Sequence, residues 1–246
     1  MILFVFAYHN EREYDRFQFI LDHWDRLVEM RTPFRFLFVK SMDRELRTSF
    51  GCDHLDYQDP PGLKKFQRVA EEWATVARHI EKHVACDQWL WWESDVLPTR
   101  KDGFEFLLSK WTSTCQVMGY RVKDNKWGMK NCMNGVAFYA CNYWSLVAPY
   151  FSLAGTFDPR RSFQDEEHEL FVDISPWYAL VHRGGRLLLT PDLCLVHGIR
   201  DDSLFKQVLT RAGPYPVVSN FRRRIRNSFK AWRLDRRGYH RYLPEA

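Results

Sequence analysis

The sequence is poor in the features that mark several large protein classes. Its six cysteines, Cys52, Cys86, Cys115, Cys132, Cys141 and Cys194, include no C-x-x-C pair and sit mostly among apolar neighbours. They read as reduced, structural thiols, as in a cytoplasmic protein. There is no Gly-rich phosphate loop, which argues against a nucleotidyltransferase, and there is no internal repeat or low-complexity linker. Long apolar runs are missing too. Met1 to Ala7 is apolar for only seven residues before charged residues follow, so it fits a first strand better than a signal peptide or a membrane span. His79 and His83 lie one helical turn apart, but the residues between them do not follow the H-E-x-x-H order of a zinc protease, so this pair reads as an exposed helical face.

What is present is core-forming material. With 46% hydrophobic and 16% aromatic residues, 246 residues suffice for one large α/β domain or two small ones. The formal charge of +5 conceals an asymmetry: Arg211 to Tyr242 carries ten Lys and Arg against one acid, while residues 1–210 are mildly acidic. This divides the chain into an α/β body, 1–210, and a basic extension, 211–246.

Along the body, Ile2 to Tyr8 reads as a strand. A helix is expected from about Glu11 to Met30, with Phe17, Ile20, Leu21, Trp24, Leu27 and Val28 on one face. A second strand covers Phe34 to Lys40, and the polar stretch Ser41 to Asp59 reads as loop. After Asp59-Pro60-Pro61-Gly62 comes a helix whose Leu63, Phe66, Val69, Trp73, Val76, Ile80 and Val84 form one buried stripe at spacings of three and four. Further on, a helix from about Asp102 to Trp111, a strand Thr114 to Tyr120 and a polar loop Arg121 to Cys132 are expected. An Asn134-Gly135 turn, a strand Val136 to Ala140 and a helix from near Asn142 follow. Gln164 to Leu170 is an acid-rich helix start, Pro176 opens a helix ended by Gly184-Gly185, and Arg186 to Thr190 and Leu193 to Val196 are short strands, the second running into His197-Gly198.

The chemistry concentrates where the run Trp89, Leu90, Trp91, Trp92 gives way to Glu93, Ser94 and Asp95. A strand buried on both faces should surface there, and ligands of open α/β sheets bind at the carboxyl ends of strands. In an extended chain Glu93 and Asp95 point to the same side and Ser94 away. Two hard oxygen ligands so placed suit Mg²⁺ or Mn²⁺ and, through it, a diphosphate. A solvated acidic turn would give the same letters.

Two acids at a strand end, an Asn-Gly strand, an acid-rich helix start and a histidine at a late strand end, in that order from Ile2 to Ile199, resemble the GT-A glycosyltransferases that use nucleotide sugars. The resemblance implies an α/β fold, a GT-A (Rossmann-like) mixed sheet flanked by helices, and transfer of a sugar from a nucleotide-sugar donor, of the UDP type, to a hydroxyl. Glu93-Ser94-Asp95 stands for the family's Asp-x-Asp with Glu in first place. By resemblance Asp95 ligates the metal, Glu93 lies on a metal-bound water or the ribose, and His197 is a further ligand. Tyr8, His9, Asn10 and Ser94 would line the nucleotide pocket, with Lys64 and Arg68 near the diphosphate. Asn134 and Gly135 would lie on the acceptor side, and Asp165 or Glu166, with Glu167 as a third option, would be the base.

The extension indicates an acceptor. Phe221, Ile225, Phe229 and Trp232 recur at helical spacing among arginines that include Arg222, Arg223, Arg224 and Arg226, which describes a basic amphipathic helix. Guanidinium forks suit phosphate oxygens. DNA is therefore the expected partner, with peripheral membrane contact and a docked C-terminal helix as alternatives. Some GT-A enzymes of bacterial viruses glycosylate hydroxymethylated pyrimidines in DNA, so a 5-hydroxymethylpyrimidine is the expected acceptor. A glycan or lipid-linked saccharide, or a non-enzymatic nucleic-acid-binding role, are the competing readings.

Overall fold

A computed structural model describes residues 1–124, 130–151, 170–180 and 192–199 of the chain. The chain begins with strand β1 (Ile2–Tyr8), helices α1 (Glu11–Asp22) and α2 (Trp24–Leu27), strands β2 (Phe34–Lys40) and β3 (Cys52–Asp56), and the long helix α3 (Lys65–His83). Strands β4 (Gln88–Trp92) and β5 (Val96–Pro98), helix α4 (Gly103–Leu108), strands β6 (Val117–Asp124) and β7 (Lys130–Ala140) and helix α5 (Tyr143–Val147) follow. Strands β8 (Phe171–Asp173), β9 (Tyr178–Leu180) and β10 (Leu195–His197) complete the described elements.

Seven strands form one mixed sheet in the order β3-β2-β1-β4-β7-β6-β8, and β5, β10 and β9 form a second, smaller one. β1 pairs in parallel with both β2 and β4, β3 adds in parallel to β2, and β7 runs antiparallel to β4. The parallel half is buried on both faces, so its strands are continuous apolar runs whose alternate residues feed two cores. Phe4, Phe6, Phe36, Phe38, Leu90 and Trp92 pack with α1 and α2 on one side. Leu3, Val5, Leu37, Val39, Trp89 and Trp91 pack on the other, against Trp73 and Ile80 of α3 and against Tyr139.

Several expected boundaries move. The first helix is broken at His23, and the stretch expected to be loop contains edge strand β3, whose polar Cys52-Asp53-His54 gave no apolar signal. In α3 Trp73, Val76 and Ile80 are buried as expected, but Val69 is 48% exposed, while Ala70, Ala74, Ala77 and the carboxylate of Glu72 are buried. The chain expected to be loop from Arg121 to Cys132 largely extends β6 and β7. Asn134-Gly135 thus lies inside β7 rather than in a turn before it. The four steps from Met133 to Ala137 oppose only the two from Arg121 to Gly119, so this pair occupies a bulge, a place where an Asn-Gly backbone is at home. The helix expected from Pro176 is a single 3-10 turn, Ser175–Trp177, that leads directly into β9.

Five cysteines, Cys52, Cys86, Cys115, Cys141 and Cys194, are free thiols, as expected from their surroundings. Among the described residues no helix is long and apolar enough to cross a membrane.

Candidate active site

The C-terminal ends of β1, β2, β3 and β4 share one edge of the large sheet, because all four strands run in the same direction. At this edge the chain leaves β4 and makes a tight turn in which the Val96 N–H donates to the Glu93 carbonyl at 3.0 Å. Glu93 and Asp95 therefore converge through a turn and not through strand alternation. The Trp92 indole Nε1–H donates to the Val96 carbonyl at 3.0 Å, tying the turn to the core.

From Val96 the chain enters β5, which pairs antiparallel with β10 so that His197 lies opposite Val96. This pairing delivers the imidazole to the two acids. His197 Nε2 lies 2.8 Å from Glu93 Oε2 and 3.2 Å from Asp95 Oδ1. The three side chains offer ligand atoms that all lie within 4.8 Å of one another. The Tyr178 ring stands edge-on to His197 at 6.0 Å between centroids and stacks on Tyr120 at 5.0 Å, which packs the imidazole from the β9 side. The His197 side chain is 10% exposed and those of Asp95 and Glu93 are 22% and 37% exposed, so the cluster opens towards solvent through Glu93.

Two carboxylate oxygens and one imidazole nitrogen form a donor set that suits Mn²⁺ or Mg²⁺ completed by water or substrate oxygens. The electrostatics agree. Burial alone would lower the His197 pKa from 6.5, yet the charge of Glu93 and its hydrogen bonds with Asp95 and Glu93 outweigh this and raise it to about 10. Without a metal, a proton on His197 offsets one of the two acid charges. The stability this contact provides is fully present below about pH 6.5 and is lost as pH rises through about 10. A metal ion must displace that proton. Mn²⁺ affinity is therefore expected to rise with pH, by up to about tenfold per unit, in calorimetric titrations at about pH 6.5 and pH 8. His197→Ala should flatten this slope, and an unchanged slope would remove His197 from the ligand set.

The other expected residues fall into three groups. The first lies near the same edge. His9 and Asp95 each stand three positions beyond the paired residues Phe6 and Trp92. His9 has both ring nitrogens engaged, Nδ1 with Ser41 Oγ at 2.6 Å and Nε2 with Glu72 Oε2 at 3.1 Å. Burial opposes its protonation, but the Glu72 hydrogen bond and charge prevail and raise the His9 pKa. The Asn10 side chain caps α1 by accepting the Glu13 N–H at 3.1 Å. Tyr8 is buried, with its hydroxyl donated to the Arg44 carbonyl at 3.0 Å. Ser94 is half-buried within the turn.

The second group is Lys64, Arg68, Asn134 and Gly135. Lys64 precedes α3, its N–H donating to Gln67 Oε1 at 2.9 Å, and Arg68 pairs with Asp59 at 3.2 Å. Asn134 and Gly135 lie in the β7 bulge, just beyond Ala137, which pairs with Trp91. The third group, Asp165, Glu166, Glu167, Arg222, Arg223, Arg224 and Arg226, lies outside the described residues.

Sequence reasoning missed Glu72, Ser41 and Gly198. Glu72 is a helix acid, which reads as surface, yet its residue is 3% exposed because it meets His9 beneath the loop that follows β1. Gly198 has φ 86, and its N–H and that of Ile199 both donate to the Asp95 carbonyl at 3.1 Å. The His-Gly pair itself was the available signal.

The sequence matches no family model and no curated protein. Its fold has solved counterparts. The galactosyltransferase LgtC, in complex with donor and acceptor sugar analogs, aligns with a TM-score of 0.54 at 12% identity, over 85% of this chain and 95% of that one. A glycosyltransferase involved in the glycosylation of the major capsid of PBCV-1 aligns at 0.48 and 13% identity, over 84% of this chain and 98% of that one. Mouse xyloside xylosyltransferase 1, apo form, aligns at 0.49 and 12% identity, over 80% of this chain and 96% of that one. The likeness to LgtC is one of fold: this chain has the α/β, GT-A mixed sheet flanked by helices.

Proposed function

We propose that the chain is a metal-dependent glycosyltransferase that moves a sugar from a nucleotide-sugar donor, of the UDP type, to a hydroxyl. The observation that carries this reading is the meeting of Glu93, Asp95 and His197 at the carboxyl edge of the central strand of a GT-A sheet. Asp95 and His197 would hold the divalent ion, with Glu93 on the ion, on a water bound to it or on the ribose. When bound, the ion supplies positive charge where the leaving diphosphate gains negative charge. Glu93, the most exposed of the three, faces the side from which a donor enters. His9, Asn10 and Ser41 lie around the nucleoside end, with Tyr8 buttressing them from the core. Lys64 and Arg68 are close enough in sequence to the start of α3 to meet a phosphate. The bulge at Asn134-Gly135, just beyond the Trp91 and Ala137 pair, borders the acceptor side.

If transfer inverts the anomeric centre, a carboxylate must take the acceptor's proton, and Asp165 or Glu166 is the proposed base. The acceptor we infer from the basic extension is a 5-hydroxymethylpyrimidine in DNA, held through Arg222, Arg223, Arg224 and Arg226. A saccharide acceptor is the second reading, favoured by the acceptor sugar analog bound to LgtC. One experiment separates these readings. Purified protein is incubated with a panel of nucleotide sugars and Mn²⁺, alone, with hydroxymethylated duplex and with oligosaccharides, and nucleoside diphosphate release is followed. Release stimulated by the duplex supports DNA transfer, and stimulation by oligosaccharide alone replaces it with the second reading. DNA binding without turnover of any donor would leave a nucleic-acid-binding protein.

A further inference from the structure

The two ligand-bearing segments of the cluster come from distant parts of the chain, and their side chains can share an ion only if the backbones are held in register. One contact does this directly. Immediately after His197, the N–H groups of Gly198 and Ile199 both donate to the carbonyl of Asp95, each at 3.1 Å. Gly198, the residue between these two N–H groups, has φ 86, in the left-handed region. That region is open to glycine, tolerated by asparagine and unfavourable for alanine. The Gly198 residue is half-buried, while Ile199 beyond it is fully buried and anchors the clamp in the core.

We propose that Gly198 is a positioning residue of the metal centre, whose left-handed backbone fastens the His197 segment to the Asp95 carbonyl and so fixes the separation of their side chains. The inference rests on the metal-centre reading given above. Gly198 touches neither ion nor substrate; it acts through His197 and Asp95.

A backbone role and a packing role predict opposite orders. If the conformation matters, Gly198→Asn should be the milder change although its side chain is larger, and Gly198→Ala the more damaging. If the site merely lacks room, Ala should be milder than Asn. Mn²⁺ binding is measured by loss of the free-ion electron paramagnetic resonance signal, with and without uridine diphosphate, alongside thermal melting. The expected result is about tenfold weaker Mn²⁺ binding for Gly198→Ala and less than about threefold for Gly198→Asn, with both proteins melting near wild type. Ala binding Mn²⁺ as well as or better than Asn would overturn the proposal. So would a collapse of melting temperature in both variants, which would make Gly198 a folding residue. Absence of Mn²⁺ binding by the wild-type protein would instead strike the metal-centre reading itself.

Discussion

In the proposed transfer reaction, Asp95→Asn is expected to lower the rate by about a hundredfold or more while leaving the melting temperature within about 2 °C of wild type. The substitution keeps the side-chain volume and removes the charge. It also leaves untouched the Asp95 carbonyl, which receives the Gly198 and Ile199 N–H groups, so the turn keeps its shape. The affected property is the negative charge that a divalent ion needs and that now holds a proton on His197. Initial rates of donor turnover, paired with circular dichroism melting curves, provide the check. Wild-type turnover by the variant would show that this carboxylate is not a metal ligand.

Trp92→Ala should have the largest effect on stability of any single core change near the site. Trp92 is fully buried and lies within 6.0 Å, centroid to centroid, of Phe4, Phe6, Trp24 and Phe104. Truncating such a ring costs about 3–5 kcal/mol, which for a domain of this size lowers the melting temperature by roughly 10 °C. Trp92→Phe is the smaller truncation. It keeps a six-membered aromatic ring but loses part of the packing together with the Nε1–H donated to the Val96 carbonyl, a bond with a net contribution of about 1 kcal/mol. Because that bond secures the turn carrying Glu93 and Asp95, the Phe variant should bind Mn²⁺ less tightly while melting between the Ala variant and wild type. A Phe variant that binds Mn²⁺ normally would mean that the turn holds its shape without the indole.

The sequence disclosed the parts of this structure that depend on local signals. The runs Ile2 to Tyr8, Phe34 to Lys40 and Gln88 to Trp92 are apolar enough to declare doubly buried strands, and α3 declares itself by its spacing. Glu93, Asp95 and His197 were recognisable because each follows an apolar strand, although they converge through a turn and a strand pairing that no local pattern encodes. The less legible parts are set by partners far away. Tyr178–Leu180 is a strand because β10 pairs with it, overriding the helix-opening signal of Pro176. β3 forms on the outer edge of β2 despite its polar letters. Glu72 is buried because His9 receives it, a pairing across α3 and β1 that neither segment announces.

The pairing of β5 with β10 also joins parts of the chain that are made far apart in time. Thr99 donates to the carbonyl of Leu193, 94 positions away, just beyond the strand pair that brings His197 to Asp95. Closing so long a loop is entropically costly and depends on contacts that local structure cannot supply. The parallel strands β1, β2, β3 and β4 lie within the first 92 residues and can pair while later residues are still being added. The candidate centre cannot assemble until the chain has been made past Ile199. A chain halted before that point would hold the acids of the β4 turn without their histidine.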